Sequence, residues 1–175
     1  MKRLLLLRHA KTAQDSGEGD HARALTERGR GDASLIGRYM DTHGYWPDTV
    51  LCSTSVRTLQ TWELLRHELA RAPQADFLKI LYLATPRKIL SALRNVPDDT
   101  RATLIVGHNP GTQELAVSLA RQPLSSAEAE KLERMTEKYS TGTLSVFDFD
   151  VTSWRDLAPG KGILLEFVKP KDLRG

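Results

Sequence analysis

Short apolar runs recur along the chain, and between them apolar residues fall at helical spacing. The first run, Leu4 to Leu7, is continuous rather than alternating. Continuous apolar character marks a strand buried on both faces, so Arg3 to Leu7 is expected as an inner strand. Lys11 to Ala24 is polar and carries Gly17 and Gly19, the pattern of a mobile loop. Thr26 then caps a helix reaching about His43, with Ala33, Leu35, Ile36, Tyr39 and Met40 toward the core and Gly44 as its stop.

The same alternation of element types continues. "PDTVLCS" reads as a second strand, and Ser55 caps a helix carrying Leu59, Trp62, Leu65 and Leu69. Phe77 and Leu78 add a short strand. Thr85 followed by Pro86 is a strong helix start, because proline lacks an N–H that the first turn would leave unpaired. "ATLIVGH" is a further strand ending at His108. Helices follow near Gln113–Ala120 and Ser126–Lys138, then the late strands "TLSVFDF" and "GILLEFV". In the first of these the apolar residues alternate, as in a strand.

Strands alternating with helices predict an α/β fold: a three-layer sandwich with a mostly parallel central sheet flanked by helices. The two late strands lack a long helix between them and predict an antiparallel portion. No repeat or linker divides residues 1–175, so one domain is expected.

Composition narrows the function. The chain has 40% hydrophobic and 27% charged residues, as globular proteins do. Leu4 to Leu7 is too short for a secretory apolar core of roughly 7–15 residues, and no stretch reaches a membrane span. Cys52 is the single cysteine, so no intrachain disulfide forms, and a cytoplasmic location is expected. The net charge of +3 is spread along the chain, which argues against nucleic acid as a partner.

Chemistry concentrates at three strand ends. The first strand delivers Arg8 and His9, the second leads through "CSTSVRTLQT" to Arg57, and the third ends in "VGHNPGT" at His108. Ligands of open α/β sheets gather at the carboxyl ends of the strands, so these residues can converge. Two guanidiniums bind a tetrahedral dianion in a forked, charge-assisted way. The helix after Ser55 directs free N–H groups at the same region. One neutral imidazole can attack phosphorus while the second steadies the phosphoryl oxygens. Such an attack needs an unprotonated His9, which predicts activity falling at acid pH within the ordinary histidine range, about pH 5 to 8. His21, His43 and His67 are expected to be structural or exposed, and Trp154 and residues 122–143 to pack rather than shape the pocket. No zinc-ligand spacing and no nucleophile elbow occur.

The ordered set "LRHAKT", "DHARALTERG", "CSTSVRTLQT", "LYLATP", "VGHNPGTQEL" and "GILLEFVKPKDL" resembles the histidine phosphatase superfamily, and within it the small SixA-type phosphohistidine phosphatases. The resemblance spans essentially the whole chain. It implies a phosphoglycerate mutase-like sandwich and a metal-independent phosphatase without cofactor. It implies His9 as the transiently phosphorylated nucleophile, with Arg8, Arg57 and His108 completing the catalytic phosphate pocket and Asp20 and Arg23 as further binding residues. Two departures stand out. Ala24 occupies a position where proline is common, which predicts a less rigid loop. The region "FLKILYLATP" has no carboxylate where larger relatives carry a proton donor, leaving Asp15, Glu18 and Asp20 as donor candidates from the loop.

The missing acid bears on substrate choice. General acid help is commonly worth ~10²–10⁴-fold, and an alkoxide needs it more than an imidazole, whose conjugate acid has a pKa of about 6.5. A phosphohistidine-bearing signalling or phosphotransfer protein is therefore the expected partner. A small phosphorylated substrate, such as a phosphomonoester, and a non-catalytic phosphate-binding regulatory module are the alternatives. No membrane partner is expected; the oligomeric state is open, and a monomer fits.

Overall fold

A computed structural model describes residues 1–175. Six strands form one sheet: β1 (Lys2–Arg8), β2 (Thr49–Ser53), β3 (Ala75–Leu78), β4 (Ala102–Gly107), β5 (Leu144–Phe149) and β6 (Ile163–Val168). Their spatial order is β3-β2-β4-β1-β5-β6. The β1–β4, β2–β4 and β2–β3 pairs are parallel, whereas β5 runs antiparallel to both β1 and β6. Only β5 therefore opposes the common direction, as the missing helix before β6 implied.

The leucine run of β1 is explained by its central place. Leu4 and Leu6 join a core on one face with Ile89, Leu93, Leu115, Leu119 and Trp154. Leu5 and Leu7 join a second core on the other face with Ile36, Met40, Trp62 and Leu65. The helices α1 (Glu27–Thr42) and α2 (Val56–Arg66) thus cover one face, and α3 (Pro86–Arg94), α4 (Gly111–Leu119) and α5 (Ser126–Glu137) the other. A short α6 (Pro170–Leu173) closes the chain beside α1.

The helix starts follow local chemistry. Thr26, Ser55, Thr85 and Ser125 each accept a backbone N–H of the first turn with the side chain. Helix α1 ends at Thr42, and Gly44 turns away at φ +69°.

The apolar residues of β5 serve both cores, Leu144 and Val146 one and Phe147 and Phe149 the other, because helices cover both faces of the sheet. Two expectations change. Residues 11–24 are folded back on themselves rather than loose. Thr12 bridges Leu25, Ala13 N–H donates to Ala24 O at 2.9 Å, and a short 3₁₀ turn spans Asp20–Ala22. Within residues 122–143, the stretch around Thr141 reaches a cavity wall, whereas Trp154 packs fully buried and donates to Thr100 O at 3.0 Å.

Candidate active site

Parallel pairing places the carboxyl ends of β1, β2 and β4 on one edge. There His9, Ser53 and His108 meet, with Arg57 in the first turn of α2. Arg8, His9, Asp20, Arg23, Arg57 and His108 line one cavity of about 380 Å³, with Lys11, Thr12, Leu83, Asn109 and Thr141 in its wall. Five tight anchors hold this edge together. Ala10 N–H donates to Thr61 Oγ1 at 3.0 Å, and Thr61 Oγ1 donates to Arg57 O at 2.7 Å. Thr58 donates to Ser53 O at 2.7 Å, Thr112 to His108 O at 2.8 Å, and Gly142 N–H to His9 O at 2.9 Å.

The imidazoles of His9 and His108 lie 5.3 Å apart between ring centres, tilted at 57°. Their tautomers follow from their partners. Nδ1 of His9 lies 2.8 Å from Ala10 O, and a carbonyl only accepts, so Nδ1 carries the proton. Nε2 of His9 is then left with its lone pair. Arg57 Nη2 lies 3.3 Å from Nδ1 of His108, and a guanidinium only donates, so that nitrogen accepts. The proton of His108 therefore sits on Nε2, which donates to Ser53 Oγ at 2.8 Å.

Both rings are held neutral. Burial lowers His9 to about 4, and the charges of Arg57, Arg8 and Arg23 add to it, while the Ala10 hydrogen bond opposes. Burial lowers His108 to about 3, aided by His9 and Arg57 and opposed by Asp20. His9 is 6% exposed and His108 2%.

The two arginines gather positive charge at the same place. Burial, and then the charge of Arg57, holds the Arg8 guanidinium below its ordinary value. Arg8 donates to Tyr139 O at 3.0 Å. The Nε–H groups of Arg8 and Arg57 are buried without a partner in the protein. Two like charges with unused donors beside two neutral imidazoles are chemically suited to a tetrahedral dianion.

The loop residues divide. Asp20 accepts Arg57 Nη2 at 2.9 Å and Arg23 Nη1 at 3.1 Å, and its backbone carbonyl accepts Arg57 Nη1 at 2.7 Å. It also accepts the hydroxyl of Tyr82. Asp20 is held far below the usual carboxylate range, first by Tyr82, with burial opposing and Arg23 and Arg57 adding. A carboxylate held so firmly in its ionised form is a poor proton donor. Arg23 also donates to Ala13 O and Thr12 Oγ1, both at 2.9 Å. Asp15 is exposed and accepts the backbone N–H of Gly17 and Gly19, at 2.8 and 3.0 Å. Glu18 is exposed and, like Asp15, lies outside the cavity wall.

Tyr82 is the residue the sequence reading passed over. Its ring lies edge-on to His108 at 5.4 Å and near the Arg57 guanidinium at 5.8 Å. "LYLATP" carried the signal only as a motif. The next residue, Leu83, has φ +50°, uncommon for a side chain of that size, and it turns the chain at the cavity rim. Nowhere do three His, Cys, Asp or Glu side chains cluster as metal ligands would. No helix is long and apolar enough to cross a membrane.

Comparison with known proteins agrees with this geometry. Residues 4–77 match the profile of the histidine phosphatase superfamily, branch 1. An uncharacterized protein of Mycobacterium tuberculosis is 36% identical over 165 residues, covering 94% of this chain and 100% of its own. The structure of SixA from Nakamurella multipartitia, a candidate phosphohistidine phosphatase, is 29% identical with a TM-score of 0.82, covering 97% of this chain and 96% of that one. The protein histidine phosphatase SixA complexed with tungstate shares the fold, at 20% identity and a TM-score of 0.78, covering 98% of this chain and 99% of its own.

Proposed function

We propose that this chain, which belongs to the histidine phosphatase superfamily and is a phosphatase, acts through a phosphohistidine formed on His9 and removes phosphate from phosphohistidine residues of a signalling or phosphotransfer protein. The observation that carries the reading is the pair of neutral imidazoles 5.3 Å apart beside Arg8 and Arg57.

The mechanism follows from the tautomers. Nε2 of His9 attacks phosphorus with its lone pair while Nδ1–H stays on Ala10 O. The N–P bond to His9 forms as the bond to the leaving group breaks. The resulting ring is cationic, and the Ala10 carbonyl stabilises its Nδ1–H. Arg8, Arg57 and the Nε2–H of His108, turned from Ser53 to an equatorial oxygen, offset the charge spreading over the phosphoryl group. Water then attacks phosphorus as the N–P bond breaks and its electron pair returns to Nε2; the water proton passes to solvent, leaving neutral His9 and free phosphate. Neither step routes through a metal.

Substrate class rests on the acid. The cavity wall holds one carboxylate, Asp20, and that group is committed to Arg57, Arg23 and Tyr82. A leaving imidazole takes its proton at its distal nitrogen from solvent, since its conjugate acid has a pKa of about 6.5. An alkoxide has no such recourse. The SixA likeness supports the same class. The lone Cys52 is buried and unpaired, in keeping with action in the cytoplasm.

The test is mass spectrometry after exposure to a phosphodonor, with a phosphohistidine peptide and several phosphomonoesters assayed side by side. An acid-labile phosphate on His9 and preference for the peptide are expected. An active His9→Ala variant would overturn the mechanism, and preference for a sugar or nucleotide phosphate would overturn the substrate class.

A further inference from the structure

A second cavity, of about 370 Å³, adjoins the first and shares Arg8, Lys11 and Thr141 with it. Apart from Pro170, its lining holds no apolar side chain. Its cations come from distant parts of the chain. Arg8 and Lys11 leave β1, Arg28 projects from the first turn of α1, and Lys138 follows α5. Lys169, Lys171 and Arg174 come from the C-terminal turn. The one carboxylate, Asp32, is nearly buried and engaged by Arg174 Nη2 at 2.7 Å to each oxygen. The other six cations have no ion-pair partner of their own.

Gathering like charges is costly, and here the cost shows. Burial, and then the charges of Lys171 and Arg134, holds Lys169 below the usual lysine range. A folded protein tolerates such a cluster readily when its partner brings the opposite charge. The form of the cluster says what that partner is. A single phosphate uses two or three donors, fewer than the cleft offers. No aromatic or aliphatic wall is present to hold a base or a sugar ring. Three of the six free cations, Lys11, Lys138 and Lys171, are exposed lysines, point charges on flexible stems that can follow carboxylates spread along a polypeptide.

We propose that this cleft, running from Arg8 past Arg28 and Lys138 to Lys171, docks an acidic segment flanking the phosphohistidine of the protein substrate. The proposal rests on the phosphohistidine reading above and adds the charge character of the substrate surface. Docking fixes the phosphoryl group over His9 and leaves the chemistry to the first cavity.

The test uses two phosphohistidine peptides of equal length, one flanked by Asp and Glu and one by Asn and Gln, with p-nitrophenyl phosphate as a substrate that reads the first cavity alone. Wild-type enzyme should favour the acidic peptide by about tenfold in kcat/KM, expressed in KM, as two or three solvent-screened ion pairs would give. The preference should shrink with salt. The double variant Lys138→Glu, Lys171→Glu should lose it while hydrolysing p-nitrophenyl phosphate at the wild-type rate. Fluorescence anisotropy with the unphosphorylated peptides separates docking from turnover. Equal binding of both peptides, or a preference that survives the double variant, overturns the docking site. Hydrolysis of p-nitrophenyl phosphate without cleavage of either phosphopeptide overturns the phosphohistidine reading instead, and the anisotropy result still decides the cleft.

Discussion

Arg57 donates to Nδ1 of His108 at 3.3 Å, and that contact fixes which nitrogen of His108 carries the proton. One guanidinium thus lines the proposed phosphate site and sets the tautomer of the imidazole beside it. Arg57→Ala should weaken phosphate affinity and turnover together. Truncating one partner of a buried charged contact costs about 2–5 kcal/mol, so kcat/KM should fall by about 30-fold to a few thousand-fold. Steady-state kinetics with p-nitrophenyl phosphate and inhibition by inorganic phosphate measure both; unchanged values would remove Arg57 from the reaction.

Asp20 positions Arg57 from a partly exposed site, so solvent screens its contribution. Asp20→Asn should lower kcat/KM by about tenfold, mostly through KM. Tyr82→Phe removes the largest influence holding the Asp20 carboxyl low. The Asp20 carboxyl should then titrate closer to its ordinary value, so the ionised clamp on Arg57 is lost at a higher pH as the solution is acidified. Carbon-13 NMR of the Asp20 carboxyl reads this directly, and an unmoved titration would mean the hydroxyl contact is weak.

His9 and His108 titrate low, at about 4 and about 3, so the free enzyme keeps both neutral across the ordinary histidine range. The acid limb of kcat/KM assigned to His9 should fall near pH 4 rather than near 6.5. Stability carries the same signature. The unfolded chain binds protons near pH 6.5 and the folded one resists them, so stability falls as pH drops from about 6.5 toward about 4. His9 alone contributes on the order of 3 kcal/mol to that loss. Proton NMR of the His9 ring and urea unfolding at pH 5 and 7 test both; a His9 midpoint near 6.5 would contradict them.

Gly111 opens α4 just beyond His108, and a Cβ there would overlap the carbonyl oxygen of Ala84. The glycine is needed for close approach of two backbones rather than for an unusual φ. Gly111→Ala should destabilise the protein by about 1–3 kcal/mol, the usual cost of overpacking, seen as a lower urea midpoint. An unchanged midpoint would show that the Ala84 turn yields freely.

Much of the site was legible because its signals are local. A buried strand ending in a polar residue shows in the letters of "LLLLRHA" and "TLIVGHNP", and Ser55 announces the helix that carries Arg57. Parallel pairing then brings those ends together. Other features left weaker traces. Asp20 looked like a proton donor because a carboxylate in a loop carries no mark of its partners; the ion pair from Arg57 and the hydrogen bond from Tyr82 that keep it ionised come from residues distant in sequence. Residues 11–24 looked loose because polar composition does not show that Arg23 would tie Ala13 and Thr12 together.

The histidines mark the boundary most sharply. By itself the sequence determined the elements, the α/β class and the identity of the groups at the strand ends, because hydrophobic period and capping act over a few residues. Only the tertiary structure decided that His9 is buried deeply enough to leave the range of about pH 5 to 8, that Arg57 sets the tautomer of His108, and that cations from β1, α1, α5 and the C-terminal turn share one cleft. Desolvation and charge proximity depend on strand order and helix packing across the whole chain, and no local pattern encodes either.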